Sequence, residues 1–130
     1  MPVQTIGKPF ELPDGSILPF SMATRAGGLI FVSGHMGVDE NLKVVEGGIE
    51  AQTTRCLRNM ERVLAEAGAN LKDVAKVLVW LTDLGNFAGF NNAYREVFGD
   101  HLPARSTVHS ALVLPGALVE IELVAVDPNA

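Results

Sequence analysis

The chain has 130 residues, 48% of them hydrophobic, which suits a single domain over residues 1–130 with a real core. A formal net charge of -5 and a pI near 5.1 disfavour a nucleic-acid partner. The Lys and Arg residues are scattered, and the Arg55/Arg58/Arg62 series sits at helical spacing and reads as a solvated face. Cys56 is the single cysteine, so an intrachain disulfide is excluded and a reducing compartment is implied. No charged-then-apolar leader and no apolar run of membrane-spanning length is present, so a cytoplasmic protein without membrane association is expected.

Residues 1–16 read as loop or edge, with Pro2, Pro9, Pro13 and an Asp14-Gly15 turn signal. A first strand is expected within Ile17–Arg25, its beginning pushed to an edge by Pro19. Ala26-Gly27-Gly28 then turns the chain into Leu29-Ile30-Phe31-Val32-Ser33, a short apolar run typical of a buried strand. That strand closes on Ser33-Gly34-His35-Met36-Gly37. Its glycines permit close backbone approach, so the Gly34 amide is a candidate to face a ligand, with a plain strand-ending bulge equally compatible. After Gly47-Gly48, apolar or small residues recur at three- and four-residue steps from Ile49 to Ala67, predicting the longest helix, stopped at Gly68. Cys56 lies on the buried stripe of that helix and reads as core. The next strand, Val74–Thr82, is apolar on both faces through Val77-Leu78-Val79-Trp80-Leu81, so it needs cover on both sides. With two helices available for one side, a second copy of the chain is the natural cover for the other. Asn86 is the expected cap of a second helix carrying Phe87, Phe90, Tyr94 and Phe98, an aromatic stripe read as core, and Gly99 ends it.

The last part of the chain reads as a hairpin. Pro103–Leu114 forms one arm, Pro115-Gly116 the turn, and Val119-Glu120-Ile121-Glu122-Leu123-Val124 the other arm, with both carboxylates on one face. Glu122 fits an ordinary solvated face. Glu120 is the better candidate for a site, because Arg105 is the only cation after Arg95, and a carboxylate in a cleft needs such a partner. In a two-residue-loop register Glu120 faces Ala111, and Arg105 lies six residues away, about 20 Å at roughly 3.3 Å per residue. One hairpin cannot join them, so a neighbouring subunit is expected to supply one of the two. The same register sets His109 opposite Glu122, where a cross-strand hydrogen bond is the simpler reading than a catalytic dyad.

Other chemistries find little support. His35, His101 and His109 have no short-range partner at metal-ligand spacing, no phosphate-cradling glycine loop is present, and Ser33 and Ser106 lack a nucleophile-elbow context. The element order, strand-strand-helix-strand-helix-strand-strand, predicts an α+β sandwich with two helices on one face of a sheet.

Several motifs together resemble the RidA family of reactive-intermediate deaminases. They are Val32-Ser33-Gly34, Asp83-Leu84 with Asn86-Phe87, Asn91 with Tyr94, Pro103-Ala104-Arg105-Ser106 and Val119-Glu120-Ile121-Glu122, collinear over nearly the whole chain. The resemblance implies a chorismate-mutase-like fold, a homotrimer with clefts between subunits, and hydrolysis of 2-enamine or 2-imine acids such as 2-aminoacrylate to 2-keto acids and ammonia. It implies neither metal nor organic cofactor. Arg105 would hold the substrate carboxylate as a bidentate fork, and Glu120 would position the attacking water. Ser33, Gly34, Asn91 and the Thr107 backbone would line the cleft. Two positions depart from the pattern: Phe20 stands where many relatives carry a pocket tyrosine, and Thr107 where many carry cysteine. The first makes the pocket more apolar and leaves the substrate open. A non-enzymatic binder of keto or carboxylic acids, an aminomuconate-type catabolic deaminase and a ribonuclease or translation inhibitor are the alternatives, the last disfavoured by the acidic balance.

Overall fold

A computed structural model describes residues 2–130; Met1 lies outside the described residues. Six strands and two helices follow the chain as β1 (Gln4–Ile6), β2 (Ala23–Ala26), β3 (Leu29–Met36), α1 (Gly48–Glu66), β4 (Val74–Leu81), α2 (Phe87–Phe98), β5 (Ala104–His109) and β6 (Val119–Val126). They form one mixed sheet in the order β1-β2-β3-β6-β4-β5, in which only β4 and β5 run parallel. Both helices cover one face, and α1 packs against α2, β3 and β6. The expected α+β architecture is the one observed.

The local elements follow from local chemistry. Gly27 and Gly28 both take positive φ, +58° and +79°, the backbone a two-residue hairpin turn demands between β2 and β3. α1 buries Gln52, Thr53, Cys56, Leu57, Met60 and Leu64 along one stripe and ends before Gly68 at φ +81°. Facing that stripe are Ile30 and Val32 of β3, Val77, Val79 and Leu81 of β4, and Val119, Ile121, Leu123 and Ala125 of β6, each 2% exposed or less. Phe90, Tyr94 and Phe98 complete the core from α2.

Three expectations change. The first strand is shorter than Ile17–Arg25 and begins at Ala23; Ile17 makes only an isolated bridge to Glu11, and Gln4–Ile6 supplies an edge strand. Asn86 does not cap α2 through its side chain. A 3-10 turn at Leu84–Asn86 leads into the helix, and Asp83 caps that turn by accepting from the Gly85 amide at 2.7 Å.

The third change matters most. β5 and β6 are not a hairpin. A turn does form at Pro115-Gly116, with the Ala117 amide donating to the Leu114 carbonyl at 3.1 Å, but β5 has already ended at His109. β4 lies between the two arms, parallel to β5 and antiparallel to β6. The physical reason is the apolar load of β4: a strand that must bury Val77, Val79 and Leu81 completely takes an interior place with a neighbour on each side. The 110–118 connection is pinned to α1 instead, where Gln52 donates to the Gly116 carbonyl and accepts from the Leu118 amide. Accordingly Glu120 pairs with Trp80 and Met36, not Ala111. His109 pairs with Leu81 and donates through Nε2 to the Thr82 carbonyl, far from the register of Glu122, which pairs with Leu78.

The face of the sheet away from the helices carries Leu29, Phe31, Leu78, Trp80, Val124 and Val126 beside Glu120 and Glu122; Phe31 is 42% and Val126 49% exposed. The two-faced apolar character read for β4 is thus real, and its second face stands open in the single chain.

Ile121, fully buried between β3 and β4, tests the core. Ile121→Ala is expected to lower stability by about 3 kcal/mol, read as a lower urea midpoint at unchanged slope.

Candidate functional site

β5 is an edge strand whose alternate residues face α2. Arg105 pairs with Val77 and Thr107 with Val79, so both point to the helix-covered face. There the Arg105 guanidinium lies over three rings of α2, its carbon 4.9 Å from the centroid of Tyr94, 5.2 Å from Phe90 and 5.8 Å from Phe87. These are cation–π distances. No ion pair or side-chain hydrogen bond among the described residues engages that guanidinium. It is therefore held by ring faces, and its planar fork of N–H donors stays free for an anion. The sequence placed the aromatic stripe in the core, which holds for Phe90, Tyr94 and Phe98; that Phe87, Phe90 and Tyr94 also form a seat for Arg105 was not legible. The signal was the three-, four- and seven-residue spacing, but nothing local says which cation the stripe will meet.

Around the seat, buried polar atoms lack protein partners: Asn91 Oδ1, Tyr94 Oη and Thr107 Oγ1. Asn91 sits on α2 one turn from both Phe87 and Tyr94. Burial pushes the Tyr94 phenol up to about 12, although the neighbouring Arg105 charge pulls the other way. Arg105, Thr107 and Asn91 thus lie on the two elements, β5 and α2, that meet at the seat.

Ser33, Gly34 and Glu120 form a second cluster, with Glu120 on the opposite face of the sheet. Ser33 and Gly34 occupy a bulge in β3, and Glu120 lies against Gly34. The Ser33 hydroxyl donates to the Ser21 carbonyl, next to Phe20. Phe20 itself is 43% exposed and stacks on Phe10 at 5.4 Å. The Glu120 carboxyl is held above the ordinary carboxylate range, chiefly by burial and secondly by Glu122. His35, largely buried, has its pKa lowered by burial, and its Nδ1 donates to the Ser33 carbonyl at 2.6 Å. The neutral ring therefore acts as a brace of the bulge. Cys56 is fully buried, its thiol pKa pushed up by burial, and it donates to the His35 carbonyl. It reads as structure, as expected.

The two clusters do not meet within one chain. β4 separates β5 from β6, which is two strand spacings or about 10 Å, and Arg105 and Glu120 project from opposite faces. The sequence reading reached the same incompatibility by a wrong route, through hairpin register; the true cause is the interposed strand and the pleat. Among the described residues no group of three or more His, Cys, Asp or Glu is placed to hold a metal ion, and no helix is long and apolar enough to cross a membrane. Two open surface depressions, of about 550 Å³ between α1 and α2 and about 670 Å³ beside β1, are lined by neither Arg105 nor Glu120.

A family model described as Endoribonuclease L-PSP matches residues 13–127. The chain belongs to this family, also known as the YjgF or RidA family. Within it, a protein named 3-aminoacrylate deaminase RutC, from Acinetobacter baylyi, is 38% identical over 122 residues, covering 91% of this chain and 97% of the relative. A protein named mmf1, mitochondrial, from Schizosaccharomyces pombe is 41% identical over 112 residues, covering 84% of this chain and 68% of the relative. The crystal structure of RidA from an Antarctic Psychrobacter superposes with a TM-score of 0.83 at 32% identity, covering 95% of this chain and 98% of that one. The RidA-family resemblance drawn from Arg105, Glu120 and their flanking motifs is therefore correct.

Tyr94 is the only tyrosine in the chain, so its ionisation can be followed by the tyrosinate absorbance alone. The expected result is no tyrosinate signal through the range near 10 where a free phenol titrates. Arg105→Gln, which removes the cation favouring the phenolate, should move the titration higher still.

Proposed function

We propose that this RidA-family protein is a cofactor-independent deaminase that hydrolyses carboxylate-bearing 2-enamine or 2-imine acids to 2-keto acids and ammonia. We further propose that it works as a homotrimer whose sites lie between subunits. One subunit supplies Arg105, Asn91 and Thr107; the next supplies Glu120, Ser33, Gly34 and Phe20. The observation that carries the reading is the complementary incompleteness of the two halves. Among the described residues, a guanidinium with free donors is seated on one face, and a partly buried carboxylate without a cation stands on the other. The open apolar face with Phe31, Trp80, Val124 and Val126 supports burial against a second copy, which would bring a partner's edge across it.

The chemistry asks little of the protein. An enamine acid gains a proton at carbon to give the protonated imine, and water adds to the imine carbon as its proton passes to Glu120. In the resulting carbinolamine that proton passes from Glu120 to the amino nitrogen, the C–N bond breaks to release ammonia, and the hydroxyl proton is lost to water as the keto acid forms. Arg105 grips the carboxylate, fixing the imine carbon relative to the water that Glu120 orients. Phe20 offers the pocket a ring without a phenol.

The relative named 3-aminoacrylate deaminase favours a second substrate reading within the same chemistry. In 3-aminoacrylate the nitrogen lies one carbon further from the carboxylate, so the same clamp would present a different carbon to Glu120. Ammonia release from 2-aminoacrylate and 3-aminoacrylate, measured side by side, selects between them. RNA cleavage is expected to be absent, in keeping with the net charge of -5. A reducing, cytoplasm-like compartment suits the buried thiol of Cys56, and the relative named mitochondrial marks an organelle as the other setting to test by fractionation.

Arg105→Ala and Glu120→Gln are each expected to lower kcat/KM for the imine by about a hundredfold or more, read by ammonia release. The decisive measurement mixes the two. If each site takes Arg105 from one subunit and Glu120 from another, equal amounts of the two inactive variants, refolded together, assemble intact sites with a probability of about one quarter. Recovery of roughly that fraction of wild-type activity is the expected outcome; no recovery from a mixture that has exchanged subunits would place both residues in one chain.

The titration of Glu120 supplies an independent check. In the single chain its pKa is raised, but a neighbour's guanidinium favours the ionised form and lowers it. In the assembled protein, Arg105→Gln should therefore raise the Glu120 pKa, observed by carboxyl-carbon NMR. The limb of the pH–rate profile lost on acidification should follow the wild-type value.

A further inference from the structure

β3 does not run straight past β6. Val32 pairs with Leu123 and His35 with Ile121, so Ser33 and Gly34 together stand opposite Glu122 alone. A bulge of this kind re-aims the residues within it. Here it brings the Gly34 backbone under the side chain of Glu120. A Cβ built at Gly34 would overlap a Glu120 carboxylate oxygen, and would lie 3.1 Å from Cδ and 3.4 Å from Cγ of the same side chain.

The glycine is not required by backbone conformation, because Gly34 is not among the positive-φ glycines. The space it leaves is what matters. The bulge cannot easily move away to make room for a side chain. The Ser33 amide and hydroxyl both donate into the 21–22 segment, to the Met22 and Ser21 carbonyls, and His35 closes the bulge through the Ser33 carbonyl. Behind it, the Cys56 thiol ties the His35 carbonyl to α1. With one wall fixed, a methyl at position 34 displaces the other wall, the free end of Glu120. Gly37, just past the end of β3, shows the contrast: a Cβ there would meet the backbone of Gln52, so substitution would disturb the seating of α1 on the sheet.

We propose that Gly34 is a positioning residue for Glu120: its missing side chain lets the carboxylate lie in against the β3 bulge, in one orientation, instead of swinging out over the open sheet face. The inference rests on the reading of Glu120 as the group that orients water. It assigns Gly34 a role separate from any contact its amide makes with a ligand. It also explains why a flexible carboxylate, without a cation in its own chain, has a defined place.

The test uses the full-length protein and four variants: Gly34→Ala, Glu120→Gln, the Gly34→Ala/Glu120→Gln pair and the Gly34→Ala/Glu120→Asp pair. Gly34→Ala is expected to keep its circular dichroism and its oligomer mass. Its kcat for imine hydrolysis should fall by about a hundredfold, the scale set by displacement of a catalytic group by an ångström or so. Adding Gly34→Ala to Glu120→Gln should cost nothing further, since the side chain it displaces is already idle. The aspartate pair should regain several-fold over Gly34→Ala alone, because its carboxylate ends one methylene short of the new methyl. Wild-type kcat in Gly34→Ala would overturn the proposal, and so would a full additional loss in the Glu120→Gln background. If Glu120→Gln itself turns over at the wild-type rate, the reading of Glu120 falls and takes this inference with it. If Glu120→Gln is inactive while Gly34→Ala is not, only the positioning role fails. Should Gly34→Ala not fold, the aspartate pair and a Gly34→Ser variant carry the same comparison, and loss of folding in all three would assign Gly34 to the fold and overturn the proposal.

Discussion

The pleat of β4 governs where Arg105 and Glu120 can lie in this chain. β4 is interior because Val77, Val79 and Leu81 are fully buried, and it hands its alternation to both neighbours. β5 takes from it the parity that turns Arg105 toward α2, and β6 the parity that turns Glu120 to the open face. A one-residue slip of β6 would reverse the assignment of Glu120 and also throw Val119, Ile121, Leu123 and Ala125 into water. Core burial and the separation of the two charged groups are thus one constraint. The fold cannot keep its core and neutralise Glu120 with Arg105 inside a single chain.

Each charged group is stabilised differently as a result. Arg105 is seated on Phe87, Phe90 and Tyr94, an arrangement that holds a guanidinium in place while leaving its hydrogen-bonding capacity unspent. Glu120 has partial burial, an acidic neighbour and, among the described residues, no cation, so its ionised form is disfavoured in the lone chain. Raising a carboxyl pKa stabilises the folded state below the unfolded-state pKa, and that contribution is lost as pH rises through the folded-state pKa. Ionised Glu120 is therefore a local cost to the single chain. By contrast, the Arg25–Asp127 pair at 2.7 Å, which fastens the C-terminal segment to β2, is an ordinary structural contact.

The bulge at Ser33-Gly34 joins the two levels. It departs from regular pairing at one point, where His35 and Cys56 brace the strand against α1, and it is there that Glu120 finds room. Irregularity in an otherwise regular ladder coincides with the carboxylate that lacks a partner, which is where local rules are expected to give way to function.

Much was readable without coordinates. The 3.6-residue stripe of α1, its stop at Gly68, the turn at Gly27-Gly28, the two-faced strand around Val77–Leu81 and the alternation of Glu120 and Glu122 with aliphatics all depend on residues a few positions apart. Arg105 and Glu120 stood out because cations are absent after Arg95 except there and because of the motifs around them. Strand order was not readable in that way. Pro115-Gly116 announces a reversal, and a reversal says nothing about which strand will lie alongside; β4, some forty residues earlier, outcompeted β5 for the place next to β6 because it buries more. The cation seat on α2, the brace between His35 and Ser33, and the fit of Glu120 over Gly34 likewise join residues brought together only by sheet order and helix docking. Periodicity is written by neighbours in the chain, whereas facing partners are chosen by burial summed over the whole molecule, and so only the tertiary structure decided them.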